Sequence, residues 1–373
     1  MQTRIATALM LVSLAAFGCG GETLPPETPP TPPPPPVAAT PATLPVETVT
    51  PTPPAPPPAP PLAELQLASL KVAADAINQH DARKYASIFA RDAVHRESAA
   101  PDVVGREGIA RRMQLLFSAF PDMKFSFDRV WQKGNLVVVL WRWTGTDVGG
   151  FIGRGPTGRQ AGLQGVGVGF YNDDGLVREI HMYEDGQTAM DQLEAKAQMG
   201  RFRAPPSDAQ GASPMDVIVA TGGPEEGKSL ATAKLFYEAL ENKKEADLLA
   251  LVTDESTADD FAMSPKTAKG AKDWKAMYRS WTSAFGAFKH LPLLNQVAVN
   301  DYVIVERIVN GTQKGAVGPV KATGLPVTLH CVDIAQIKDG KIAHFWTWSN
   351  TLELIAQARP QPRPQAHPQA KKR

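Results

Sequence analysis

Cysteine is nearly absent: Cys19 and Cys331 are the only two in 373 residues, too few for a disulfide framework. Cys331 sits in an apolar strand pattern and reads as a small buried hydrophobe. An excess of charge of one sign is also missing, with 39 basic residues against 38 acidic. No long basic patch interleaves with aromatics, so nucleic acid is not expected as a partner. The leading apolar run, Ile5 to Phe17, is far shorter than the roughly 20 residues that span a bilayer. The seven histidines are scattered, with no His-x-x-x-His or His-Glu-x-x-His pair. Gly165, Gly167 and Gly169 alternate inside a strand instead of opening a helix, which excludes a dinucleotide loop. Such alternation lets backbone or ligand approach closely on one face. Neither a metal nor a cofactor is expected.

Proline is abundant. More than half of the 34 prolines fall between Glu22 and Pro61, in a stretch with almost no charge. Residues 19–61 therefore read as an extended polyproline II stalk, reaching on the order of 100 Å at about 3.1 Å per residue. Residues 1–18 read as a signal peptide, with Arg4 as its basic start. Its end, Ala16-Phe17-Gly18-Cys19-Gly20, resembles a bacterial lipobox. The resemblance implies that Cys19 is lipidated and anchors the chain to a membrane of the cell envelope. Gly20 in place of aspartate implies the outer membrane, facing periplasm or exterior. An ordinary secretory signal with an incidental cysteine is the alternative. The proline-, glutamine- and base-rich tail, 359–373, reads as disordered.

The remaining chain is too long for one ordinary core and repeats itself. Ser118-Ala-Phe120 recurs as Ser283-Ala-Phe285, Gly145-Thr146 as Gly311-Thr312, and Asp174-Gly175 as Asp339-Gly340. The spacing is 165 or 166 residues throughout. Each copy reads as helices, then a four-strand antiparallel meander, then a short helix. Expected strands are Lys124 to Gln132, Leu136 to Gly145, Gln160 to Tyr171 and Leu176 to Glu184 in copy one. In copy two they are Leu293 to Val299, Tyr302 to Val309, Val327 to Ile337 and Ile342 to Trp348. This is an α+β class, with domains expected at 62–200 and 226–358 and a linker at 201–225.

Copy one carries Val104-Gly-Arg-Glu-Gly-Ile109, Leu116-Phe-Ser-Ala-Phe-Pro-Asp122, Trp141-Arg-Trp-Thr-Gly-Thr146, Pro156-Thr-Gly-Arg159 and Asp174-Gly175. In order and spacing these resemble the SnoaL-like polyketide cyclase branch of the nuclear-transport-factor-2-like fold. Copy two matches more thinly. The resemblance implies two tandem cones, each a curved antiparallel sheet wrapped around N-terminal helices to leave a pocket. It also implies a cofactor-free reaction, in which an aspartate removes a proton next to a carbonyl and the carbanion closes a ring. Asp185 stands at the matching position. Two copies packed face to face would form an internal pseudo-dimer.

Asp185 and Asn350 each follow a last strand and precede a last helix, where aspartate and asparagine are about equally good caps. Capping explains both; only the acid can also be a general base. His181 and Tyr183 share a strand face and accompany Asp185 if that face is concave. Trp141 and Trp143, and likewise Trp346 and Trp348, form stripes that serve either as core or as a ligand platform. His95, Tyr171, His330 and Asn350 join the pocket candidates, each histidine being alternatively a surface or satisfied residue. Two functions follow: a tethered pair of pockets binding a small apolar molecule or an envelope partner, or a cyclase- or isomerase-type enzyme using Asp185 in copy one.

Overall fold

The computed structural model describes residues 61–195, 215–286, 289–290, 294–317 and 320–358. The leader, Cys19, the proline stalk up to Pro60, most of the linker and the basic tail lie outside them. Copy one runs α1 (Leu62–Asn78), α2 (Ala82–Ser87), β1 (Phe89–Glu97), β2 (Ala100–Val104), α3 (Arg106–Ala119), β3 (Lys124–Lys133), β4 (Leu136–Thr146), β5 (Gln160–Tyr171), β6 (Val177–Tyr183) and α4 (Gly186–Glu194). A linker strand, β7 (Asp216–Val219), follows. Copy two runs α5 (Pro224–Glu241), α6 (Glu245–Leu249), β8 (Thr257–Asp260), β9 (Ala268–Lys269), α7 (Gly270–Phe285), β10 (Lys289–His290), β11 (Asn295–Val299), β12 (Tyr302–Thr312), β13 (Pro326–Lys338), β14 (Lys341–Ser349) and α8 (Thr351–Ala358).

Local chemistry sets these boundaries. Asp81 caps α2, accepting from Lys84 N at 2.8 Å, and Asn172 Oδ1 accepts from Leu176 N at 2.9 Å to close the turn into β6. The first sheet is ordered β2-β1-β6-β5-β4-β3-β7 and the second β10-β12-β13-β14-β8-β9, with β11 also on β12. The meanders are antiparallel, as the turn spacing requires. Each also gains a strand that sequence periodicity does not flag, β1 parallel to β6 and β8 parallel to β14. Residues Tyr85 to Ala90 divide between the end of α2 and the start of β1. The linker contributes β7, parallel to β3.

Each cone has its own apolar interior. A third core joins them: Trp131, Val138, Val166, Val168 and Tyr183 of one sheet pack against Val299, Tyr302, Ile304, Val332, Ile334 and Trp348 of the other. Both faces of each central strand are thus buried, one inside its cone and one against the neighbouring copy. No described helix is long and apolar enough to cross a membrane.

Candidate functional site

Copy one encloses a cavity of about 630 Å³, within the usual range for small-molecule sites. Its wall includes Phe125, Trp141 and Trp143 from the sheet, Ile77 and Met113 from helices, and Ile180 and Met182 of β6. Small residues keep it open. Ala73 of α1 and Gly169 of β5 stand on the wall. A Cβ at Gly165 would lie 2.2 Å from the Trp141 indole, so only glycine lets that ring lie against the strand.

Polar groups gather on one side. His95 and Glu97 lie on β1, in register with Ile180 and Met182 of β6. Arg112 of α3 reaches across to pair with Glu97, and Glu184 follows Tyr183 at the end of β6. All four line the cavity. Glu184 Oε2 and His95 Nδ1 are buried with no hydrogen-bond partner among the described residues. Burial, then the charge of Glu97, pushes the Glu184 carboxyl up to about 8, against the opposing pull of Arg112. Burial, then the Arg112 charge, pulls His95 down to about 3, so its ring is neutral. Glu97 is raised by burial, although Arg112 opposes it. The cluster therefore holds one paired carboxylate, a neutral imidazole and a carboxyl that keeps its proton at neutral pH.

The residues singled out from sequence divide sharply. His95, Trp141, Trp143, Tyr171 and Asn350 are on the cavity wall. The tryptophans are core and wall at once, and Tyr171 is pushed up to about 12 by burial. His181 and Tyr183, expected beside the pocket, are on the opposite face of β6. Strand alternation sends Ile180, Met182 and Glu184 inward, and so turns His181 and Tyr183 toward copy two. There Glu306 Oε1 accepts from Tyr183 OH and meets His181 Nδ1, both at 2.7 Å. Trp348 stacks on Phe261 at 4.4 Å in the core between the copies, and Trp346 stacks on His344 at 3.8 Å. His330 Nδ1 meets Glu353 Oε1 of α8 at 2.6 Å. None of these lines the large cavity.

Asp185, the expected base, is not on the wall either. Its Oδ2 accepts from Thr188 N at 3.2 Å and Thr188 Oγ1 at 2.7 Å, capping α4. Its Oδ1 accepts from Thr351 N of copy two at 2.8 Å. One carboxylate thus serves the N-termini of two helices, a favourable place for negative charge. Burial raises its pKa to about 6, with the Thr188 and Thr351 hydrogen bonds opposing. The carboxyl that faces the cavity is the preceding residue, Glu184.

Copy two has the same frame with its interior filled. Gly165 and Gly167 pair with Trp141 and Met182, whereas Cys331 and Asp333 pair with Arg307 and Thr347 at the corresponding rungs. Asp333 accepts from Arg307 Nε and Nη2, from Tyr237 OH at 2.8 Å and from Thr347 Oγ1 at 2.6 Å. The pocket beside Trp281, Arg307 and Cys331 is only about 40 Å³. The polar cluster is gone as well. Ala258, Asp260 and Ser349 hold the places of His95, Glu97 and Glu184, and Met277 that of Arg112, counting from the shared Ser-Ala-Phe. Among the described residues, no group of three or more His, Cys, Asp or Glu side chains could hold a metal ion.

Glu184, Glu97 and Arg112 escaped sequence reasoning. Glu184 had a usable signal, since it shares the alternation of Ile180 and Met182. Glu97 had none, because only the pairing of β1 to β6 brings it, with His95, to the site.

Comparison with known proteins fits this architecture. The model of the SnoaL-like polyketide cyclase family matches twice, at residues 68–193 and 231–358. Similar solved structures include a SnoaL-like protein from Jannaschia sp. CCS1, at 16% identity and TM-score 0.34, covering 38% of this chain and 97% of that one. IdmH from Streptomyces antibioticus shows 26% identity and TM-score 0.31, covering 35% and 98% respectively. An NTF2-like protein from Burkholderia xenovorans LB400 shows 17% identity and TM-score 0.31, covering 37% and 100%. No curated protein matches the sequence.

Proposed function

Because the chain belongs to the SnoaL-like polyketide cyclase family in both of its folded copies, we propose that copy one binds a small, largely apolar molecule and moves a proton on it, with copy two as its scaffold. One observation carries the reading: Glu184 presents an unpartnered Oε2 within an apolar cavity, with a carboxyl held near pH 8. A group titrating close to working pH is suited to both halves of a proton transfer.

In the proposed reaction ionised Glu184 takes a proton from a carbon next to a carbonyl, and the electron pair moves onto the carbonyl oxygen as an enolate. Return of the proton to another carbon gives an isomer. Attack of the enolate carbon on a second carbonyl closes a ring, and Glu184 hands its proton to the new alkoxide. Arg112 holds Glu97 beside this carboxyl, and that negative charge makes Glu184 a stronger base once it ionises. Neutral His95 offers a hydrogen bond without competing for the proton.

The test is deuterium exchange of 2-tetralone, an apolar ketone with acidic carbon-bound protons, followed by NMR in heavy water. Wild type should accelerate exchange, with a rate that rises with pH and levels off above about 8. Glu184→Gln should lose about 10²- to 10⁴-fold. Equal exchange by the two proteins would remove Glu184 as the base. Uptake of 2-tetralone without any acceleration would leave a binding protein, a reading favoured by the predominance of aromatic and aliphatic side chains on the wall.

We also propose that the chain is tethered to the envelope through lipidated Cys19, on the strength of Ala16-Phe17-Gly18-Cys19-Gly20. Metabolic labelling with a palmitate analogue should mark wild type and not Cys19→Ser.

A further inference from the structure

The cavity of copy one is not built by copy one alone. Asn350 and Leu352 of copy two stand on its wall. Their segment is held there from both sides. Thr351 N donates to Asp185 Oδ1 at 2.8 Å. A Cβ at Gly186 would lie 2.7 Å from Leu352 Cδ1, so a larger residue there would displace the Leu352 side chain.

Asn350 is only 8% exposed. Its Oδ1 accepts from Leu352 N at 3.1 Å, while no described residue accepts from its Nδ2. The Asn350 amide has no fully buried, unpartnered atom, so this donor is accessible, and a ligand oxygen beside it would accept its hydrogen bond. The residue type fits its place. The corresponding residue of copy one is Asp185, and a second carboxylate at 350 would crowd Asp185 and Glu184 in a medium of low dielectric. An amide avoids that repulsion and, unlike a carboxylate, can both accept from the Leu352 N–H and donate inward.

We propose that Asn350 of copy two donates a hydrogen bond to a carbonyl or enolate oxygen of the molecule bound in copy one. The inference rests on the cavity being a ligand site, as argued above, and adds that the site is complete only with both copies.

The test compares two probes that differ by one oxygen, 2-tetralone and tetralin, titrated into the full chain by quenching of tryptophan fluorescence. Wild type should prefer 2-tetralone. Asn350→Leu should weaken 2-tetralone about tenfold, the worth of one ordinary hydrogen bond, and leave tetralin within about twofold. Asn350→Asp keeps the oxygen that serves α8 and removes the donor, so it should lose the same preference. Tetralin binding reports that each variant is folded. If wild type binds tetralin with no preference for the ketone, or both variants keep the preference, the role of Asn350 is overturned and the cavity reading survives. If wild type binds neither probe, the cavity reading falls and this inference with it.

Discussion

The two copies share helix order, strand register and the Asx that opens the last helix, yet copy one holds a cavity of about 630 Å³ and the pocket described inside copy two is about 40 Å³. The difference lies in a handful of inward positions. Where copy one has Gly167 and Trp141, copy two has Asp333 and Arg307, and these two fill the cone with a hydrogen-bonded ion pair. Phe236 and Tyr237 stand where α1 has Ala73 and Ala74, counting back from the positive-φ residues His80 and Lys243. A fold of this kind fixes where a pocket would be; the side chains decide whether there is one.

The largest effect should come from breaking the filled cone. Asp333→Leu leaves the buried Arg307 guanidinium uncompensated and should cost about 3–5 kcal/mol, whereas Arg307→Met with Asp333→Leu should recover most of that, short of the hydrogen bonds that Tyr237 OH and Thr347 Oγ1 lose. Urea unfolding of the single and double variants measures both. A single variant as stable as wild type would mean that the pair contributes nothing to the plug.

Next is the reverse exchange, giving the hollow cone a residue of the filled one. Ala73→Phe places a ring on the cavity wall, and overpacking should cost about 1–3 kcal/mol. The variant should lose 2-tetralone binding altogether. Retained affinity would put the ligand somewhere other than this cavity.

The comparison also explains what could be read from sequence. The repeat, the meander and the last helix were legible because turn glycines and apolar periodicity are local signals. Which face of β6 points inward was not. Period-two alternation separates two faces but names neither, and here both are buried, Ile180 and Met182 in the cone and Tyr183 against copy two. Asp185 was legible as a cap, but its second helix belongs to copy two, 166 residues away. The base-like group beside it differs from an ordinary glutamate chiefly through burial and then the charge of Glu97, both products of tertiary structure.

Copy one should also respond to pH through Glu184, a carboxyl that Ser349 replaces in copy two. Glu184 is raised from about 4.5 to about 8, so between those values the folded chain holds a proton that the unfolded chain has released. The stability this contributes is fully present below about pH 4.5 and is lost as pH rises through 8. His95 has the opposite sign. Lowered from 6.5 to about 3, it contributes stability above pH 6.5 that is lost as pH falls toward 3. Melting temperatures across pH should therefore show Glu184→Gln gaining on wild type as pH rises from about 4.5 to 8 and keeping that gain above 8. Parallel curves would remove burial of an ionisable Glu184 from the argument.

The smallest effects should come from the acid and amide that set the copies apart. Asp185→Asn keeps one acceptor oxygen for two helix N-termini, so either Thr188 or Thr351 loses its partner, at about 1 kcal/mol. Part of that loss is offset, because the amide has no charge to bury and the carboxylate it replaces is raised to about 6 by burial. Chemistry should barely change, since Asp185 is not on the cavity wall. Its charge does help to raise Glu184, so the pH at which deuterium exchange of 2-tetralone levels off should move down while the plateau rate stays within about twofold. Loss of two or more decades in that plateau, in a variant shown by its melting curve to be folded, would restore Asp185 as the base. The difference between the copies would then lie in the Asx itself rather than in the residue before it.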